Sequence, residues 1–169
     1  MANTYTLIAS NVLTTGASSI TFTAIPQTYT DLVVRLSARC DAASVDRSLG
    51  VRPNSLTTGD SNTSLSGDGS TATSGRSTTD FDAGRFTAAN ATANTFGSVE
   101  IYIPNYTVSQ NKPMSVFGVA ETNATTVTMR INALLWSNTA AITELKIDTD
   151  TAPLFVAGSS FYLYGIKNS

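Results

Sequence analysis

Apolar and polar residues alternate one by one along several stretches of this chain, and no stretch carries the three-to-four spacing of a long helix. In "LVVRLSAR", Leu32, Val34, Leu36 and Ala38 fall on one side and Val33, Arg35, Ser37 and Arg39 on the other. "SITFTAI" sets Ile20, Phe22 and Ala24 against Ser19, Thr21 and Thr23, and "VEIYI" sets Val99, Ile101 and Ile103 against Glu100 and Tyr102. "VTMRINA" predicts Val127, Met129, Ile131 and Ala133 facing inward, with Thr128, Arg130 and Asn132 facing out. Each run reads as a strand buried on one face. Weaker strand candidates run from Tyr5 to Val12, Leu49 to Arg52, Asn62 to Ser66, Met114 to Glu121, Ile142 to Asp148 and Phe161 to Lys167. Pro26, Pro53, Pro104, Pro113 and Pro153 fall at strand edges, where a missing N–H costs no ladder bond. Only "CDAASVDRSLG" has room for a helical turn. About ten short strands and no helix predict an all-β chain, a single antiparallel β-sandwich of jelly-roll or Greek-key form, with a closed barrel as the alternative.

The 169 residues fit one domain, 1–169, and 41% hydrophobic residues suffice for a core. Charged residues make up only 13%, about half the usual share, and Ser and Thr fill the gap. Such a surface can face either water or a neighbouring copy without the desolvation cost of a charge. The stretch from Ser55 to Gly84, mostly Gly, Ser, Thr and Asp, breaks the alternation and reads as a long loop or ragged hairpin. It is the first candidate for an exposed contact surface. "MANTYTLIASNVL" lacks the basic and apolar regions of a secretory signal, and no later run approaches a membrane span, so synthesis in a cytoplasm is expected. The Asn-x-Ser/Thr sequons at Asn62, Asn90, Asn105 and Asn123 carry no weight in so Ser/Thr-rich a chain.

The chain has no histidine, which removes Ser-His-Asp and Cys-His nucleophile systems and ordinary zinc sites. Asp80, Asp82, Glu100, Glu121 and Glu144 offer carboxylates, but their spacing selects no pair for glycoside hydrolysis. "DFDAG" and "DTDT" open like calcium loops without the later ligands, and "GDGST" lacks the lysine of a phosphate loop. Single Cys40 reads as a buried structural thiol. The ten basic residues are scattered under a net charge of −2, so nucleic acid is not an expected partner. The expectation is a non-enzyme without catalytic, cofactor or metal residues.

Aromatic residues point elsewhere. Tyr102, Tyr106, Tyr162 and Tyr164 occupy the less obviously buried faces of their segments, and Trp136 after "INALL" reads as core or interface rather than a sugar platform. In "SSFYLYGIKNS", Phe161 and Leu163 share one face while Tyr162, Tyr164 and Ile166 share the other. If the first pair fills the core, the second set forms an outer apolar stripe that a monomer does not normally leave bare. Tyr162, Tyr164, Ile166 and Tyr102 are therefore the candidate interface with another copy or a larger scaffold.

The runs "LIAS…SITFTAIPQTYTDLVVRLSAR", "NTFGSVEIYIPNYT" and "LWSNTAAITELKI…FVAGSSFYLYGIKN" resemble a family of bacteriophage virion proteins found in phages of cyanobacteria and other aquatic hosts. The likeness spans most of the chain and lies in strand and turn sequences. It implies a virion structural role and no catalytic residues. Two expectations follow. One is a capsid decoration or cement protein, a homo-oligomer with a trimer favoured, that binds the major capsid protein and stabilises the assembled shell. The other is a tail or fibre-associated module that recognises host-surface carbohydrate. A fibre would carry a shaft, which this sequence does not display, and neither role calls for a membrane.

Overall fold

The computed structural model describes residues 4–79, 81–123, 128–150 and 152–167. Twelve strands and no helix occur among them: β1 (Tyr5–Val12), β2 (Ser19–Phe22), β3 (Asp31–Ala38), β4 (Asp46–Pro53), β5 (Asp60–Gly67), β6 (Ala72–Ser77), β7 (Asp82–Thr87), β8 (Gly97–Ile103), β9 (Lys112–Ala120), β10 (Thr128–Trp136), β11 (Leu145–Asp148) and β12 (Ser160–Ile166). They form an eight-stranded sheet in the order β1-β12-β3-β8-β9-β10-β5-β6 and a four-stranded sheet in the order β2-β11-β4-β7. All strand pairs are antiparallel. With the hairpins β5-β6 and β9-β10 set aside, the remaining strands pair first with last, β1 with β12, then β2 with β11, β3 with β8 and β4 with β7. That nested pairing is a jelly roll. The two hairpins extend one sheet of it, and neither sheet closes into a barrel.

Parity decides which side chains reach the space between the sheets. Leu32, Val34, Leu36 and Ala38 of β3 point there, as do Val99, Ile101 and Ile103 of β8 and Phe161 and Leu163 of β12, all in the core cluster. Cys40 and Trp136 lie there too. Phe155 joins the cluster between Phe86 and Phe161, with ring centroids 5.5 and 5.0 Å away. β2 stops at Phe22 because Ala24 turns into the left-handed region, φ 52°, so Ala24 is exposed rather than aligned with Ile20 and Phe22 as its spacing predicts.

β10 corrects a larger expectation. Leu134 and Trp136 are core residues, and period-two geometry then forces Asn132 inward with them and turns Met129, Ile131 and Ala133 outward. This is the reverse of the orientation that "VTMRINA" suggests; Val127, from the same run, lies outside the described residues. The inward polar side chains are each held by a partner, although Arg130 Nε and Asn132 Oδ1 are buried without a hydrogen bond among the described residues. Arg130 lies 2.7 Å from the Asp82 carboxylate and donates to Ser64 Oγ, while Asn132 Nδ2 donates to the Asp82 carbonyl. Burying Leu134 and Trp136, the largest side chain of the strand, outweighs exposing Met129, Ile131 and Ala133 once Arg130 and Asn132 are held by Asp82 and Ser64.

The Ser55 to Gly84 stretch is also more ordered than its composition suggests. It contains β5 and β6 and the start of β7. The β5-β6 turn is held by Asp68, whose carboxylate accepts from the backbone N–H groups of Ser70 and Thr71, an arrangement that lowers its pKa. "CDAASVDRSLG" forms no helical turn; its second half is β4. Where β7 crosses the large sheet, backbones come into contact. A Cβ on Gly97 would meet Phe86 Cα at 2.8 Å, and one on Gly118 would meet Arg85 O at 2.9 Å, so only glycine fits either position.

Candidate interaction surface

The outer face of the eight-stranded sheet can be followed strand by strand from its register. One row runs Ser10, Tyr162, Arg35, Glu100, Phe117, Ile131, Leu65, Ser74. A second runs Leu7, Tyr164, Val33, Tyr102, Ser115, Ala133, Thr63, Arg76, and a third runs Val12, Ser160, Ser37, Ser98, Val119, Met129, Gly67, Ala72. The face has two halves with different chemistry.

On β1, β12, β3 and β8 it is aromatic and charged. Tyr162 and Tyr164 stack with centroids 6.5 Å apart, and Tyr5 meets Tyr164 edge-on at 6.3 Å. The Arg35 guanidinium lies 5.5 Å from the centroid of the Tyr5 ring and 2.7 Å from the Glu100 carboxylate, in an exposed ion pair that contributes little to stability. Tyr102 donates its hydroxyl to Asp31, whose other oxygen accepts the N–H of Asn105. Desolvation, and then the neighbouring Asp31 carboxylate, push the Tyr102 pKa up. Val33 is covered between Tyr102 and Tyr164, its two cross-strand neighbours.

On β9, β10 and β5 the outer face carries no charged side chain. Phe117, Met129, Ile131 and Leu65 are 45%, 49%, 51% and 56% exposed. Phe117, Ile131 and Leu65 are direct cross-strand neighbours, so they form one contiguous patch. A shallow groove of about 200 Å³ runs beside it, lined by Leu65, Ala72, Met129 and Ile131.

Of the four residues expected at an interface, Tyr102, Tyr162 and Tyr164 are half-buried on the aromatic half, brought together by β8, β3 and β12. Ile166 shares their face by register, opposite Asp31 and Tyr5, but is only 7% exposed, so it supports the stripe without being offered by it. Tyr106 departs from the expectation of an open position. It is fully buried and donates its hydroxyl to the Pro26 carbonyl. Leu65, Phe117, Met129 and Ile131 were not candidates. Leu65 carries its own signal, a large apolar residue between Ser64 and Ser66, whereas Phe117 stands between the core residue Val116 and Gly118 at the wrong parity for its strand's core face. Met129 and Ile131 look inward-facing until Leu134 and Trp136 are given precedence.

The carboxylates serve local structure. Glu121 accepts the N–H of Asn123, Glu144 accepts from Ser55 Oγ, and Glu100 pairs with Arg35. Asp82 pairs with Arg130, whereas Asp148 and Asp150 both pair with Arg52, at 2.7 and 3.2 Å. Asp80 and Thr151 of the two calcium-like stretches lie outside the described residues. No group of three or more metal-ligating side chains occurs among the described residues.

No protein-family model matches the chain, and no curated protein matches it in sequence. Among solved structures, a functionally unknown protein from Saccharomyces cerevisiae aligns over 89% of this chain and 73% of its own at 9% identity, with a TM-score of 0.29, a likeness that carries no argument.

Proposed function

We propose that this chain is a structural component of a larger assembly, a virion decoration protein that binds the major capsid protein and stabilises the assembled shell. One observation carries the reading: a rigid eight-stranded face presents half-exposed Tyr, Phe, Leu, Ile and Met side chains that the chain's own core does not use. An apolar area of this kind marks an interaction surface. The jelly roll is an architecture that recurs in capsid domains, which supports the reading only by analogy. The mechanism is linkage. A protein that binds the closed shell and not its separated subunits shifts the equilibrium toward the shell. Particles lacking the protein are expected to release their DNA at a lower temperature than complete ones, with a copy number in purified virions near that of the major capsid protein. Unchanged heat resistance overturns the proposal.

The stacked Tyr162 and Tyr164 beside Arg35 and Glu100 favour a second reading, a tail-associated module that binds host-surface carbohydrate. It predicts only a few copies per particle, binding of the purified chain to host polysaccharide, and loss of that binding in Tyr162→Ala. Absence of binding in wild type at high concentration overturns it.

A further inference from the structure

Beneath the β5-β6 hairpin the inner side of the large sheet is polar. Ser64 and Ser66 of β5 and Thr73 and Gly75 of β6 share that side, opposite one another in the ladder, and neither strand contributes to the hydrophobic core. A cleft of about 330 Å³ opens there, where Ser66, Asp68 and Thr73 of the hairpin and Thr128 at the start of β10 meet Asp46 of β4 and Arg85 of β7. The side chains of Arg85 and Asp46 are only 32% and 26% exposed, yet Arg85 Nη1 and Asp46 Oδ1 stand 4.0 Å apart, beyond hydrogen-bond reach. Neither side chain makes a hydrogen bond among the described residues, nor do the hydroxyls of Ser66, Thr73 and Thr128. We propose that this cleft binds a neutral sugar residue, with Arg85 donating to its ring hydroxyls and Asp46 accepting from them.

A second polar hollow on the molecule shows what distinguishes this one. There Arg52 lies 2.7 Å from Asp148 and 3.2 Å from Asp150, and Lys146 lies 3.6 Å from Asp148, so the charges satisfy one another. In the hairpin cleft the opposite charges are held apart on different strands, each left with hydrogen bonds to make. Charge then selects the class of ligand. Asp46 and Asp68 disfavour an anion, Arg85 disfavours a cation, and a neutral molecule meets neither obstacle. The lining selects the chemistry, because a guanidinium only donates, a carboxylate only accepts and the hydroxyls of Ser66, Thr73 and Thr128 do both. Neighbouring hydroxyls on a sugar ring answer all three, one donating to a carboxylate while the next accepts from the guanidinium. Size agrees, since about 330 Å³ lies at the low end of ligand pockets and suits a single ring. No aromatic ring lines the cleft, so weak binding is expected, with a Kd of about 1 mM. The site is separate from Tyr162 and Tyr164, which lie on the opposite face of the large sheet toward its other edge. The proposal goes beyond both readings of function, because a shell protein and a tail module can each carry such a cleft.

Amide chemical shifts of the full nitrogen-15-labelled chain test it, with D-glucose, D-galactose and D-mannose each titrated to about 50 mM and D-glucuronate and D-glucosamine as charged comparators. The expected result is a saturable shift around Ser66, Thr73 and Arg85 with at least one neutral sugar. Arg85→Met and, separately, Asp46→Asn are each expected to weaken that binding by at least about tenfold, because each removes a hydrogen bond to a charged group. Tyr162→Ala is expected to leave it unchanged. Should Arg85→Met or Asp46→Asn disturb the pairing of β4 with β7, Thr73→Val on the edge strand supplies the reading, with a loss of about threefold or more. No saturable shift with any neutral sugar, saturation with a charged comparator alone, binding that survives in the cleft variants, or binding lost in Tyr162→Ala overturns the proposal.

Discussion

Tyr106 shows how a single polar tip is placed in an apolar core. Its ring is buried, and its hydroxyl satisfies the carbonyl of Pro26 in the loop after β2. Tyr106→Phe keeps the ring but leaves that carbonyl without its donor, and should cost about 1–3 kcal/mol in urea unfolding. Burial holds the Tyr106 pKa above its ordinary value of 10.0, so the folded chain keeps a proton that the unfolded chain releases. Its contribution to stability is complete below pH 10 and is lost as pH rises through the folded value. Tyr102 acts in the same direction. Cys40, raised from 9.0 chiefly by burial, does so from a lower pH. Lys112 acts oppositely. Desolvation lowers its pKa although its ammonium donates to the carbonyls of Val108, Gln110 and Thr139, so its contribution to stability grows as pH approaches 10.5. Wild type should lose stability between about pH 10 and pH 11, and Tyr106→Phe should lose less across the same interval, as read from urea midpoints. An equal loss in both would assign the alkaline sensitivity to the other groups. Gly165 is constrained by contact rather than charge, because a Cβ there would run into the Tyr29 ring. Gly165→Ala must displace that ring, and a cost of about 1–3 kcal/mol is expected in the same assay.

At the scale of elements, β10 tests whether the orientation of a strand has been read correctly. Leu134→Ala should cost about 2–5 kcal/mol, whereas Ile131→Thr should stay within about 0.5 kcal/mol in the monomer, as measured by thermal unfolding at low concentration. An inward Ile131 and outward Leu134 would reverse that order. Arg130→Met removes the charged partner of the nearly buried Asp82 carboxylate, which keeps only the Ser48 hydroxyl and the Gly84 N–H among its named donors, and should cost about 3–5 kcal/mol. β3, β8 and β12 were legible because each buries one face among apolar residues, so composition and parity agree. β10 was not, because Arg130 and Asn132 find partners in Ser64 and Asp82, residues that single-strand alternation cannot connect. β6 and much of β7 were illegible for another reason. "ATSGRS" has no apolar side at all and is ordered by pairing with β5 at the sheet's edge. The aromatic half of the outer face could be anticipated from Tyr162 and Tyr164, because their neighbours Phe161 and Leu163 so plainly belong inside. The apolar half depended on the partners of β10 and could not.

The whole molecule is organised by nesting. The first strand pairs with the last, with Tyr5 opposite Ile166 and Val12 opposite Ser160. Few contacts in such a topology are local, so folding is expected in the slow, millisecond-to-second range of β-sandwiches, a rate that stopped-flow refolding from urea would measure. β1 lies at one edge of the large sheet and β6 at the other. A register shift between Leu7 and Ala9 breaks the regular ladder of β1 and guards that edge, while β6 pairs without interruption from Ala72 to Ser77 and has only Arg76 to discourage a stray strand. The nesting also has a consequence in time. On a ribosome adding about 5–20 residues per second, β1 emerges roughly eight to thirty seconds before β12 exists to receive it. Through that interval Tyr5, Leu7 and Val12 have no native neighbour strand. A chaperone that holds the nascent chain would therefore act first on β1, and the vulnerability of the molecule during synthesis lies at the strand that its finished form closes last.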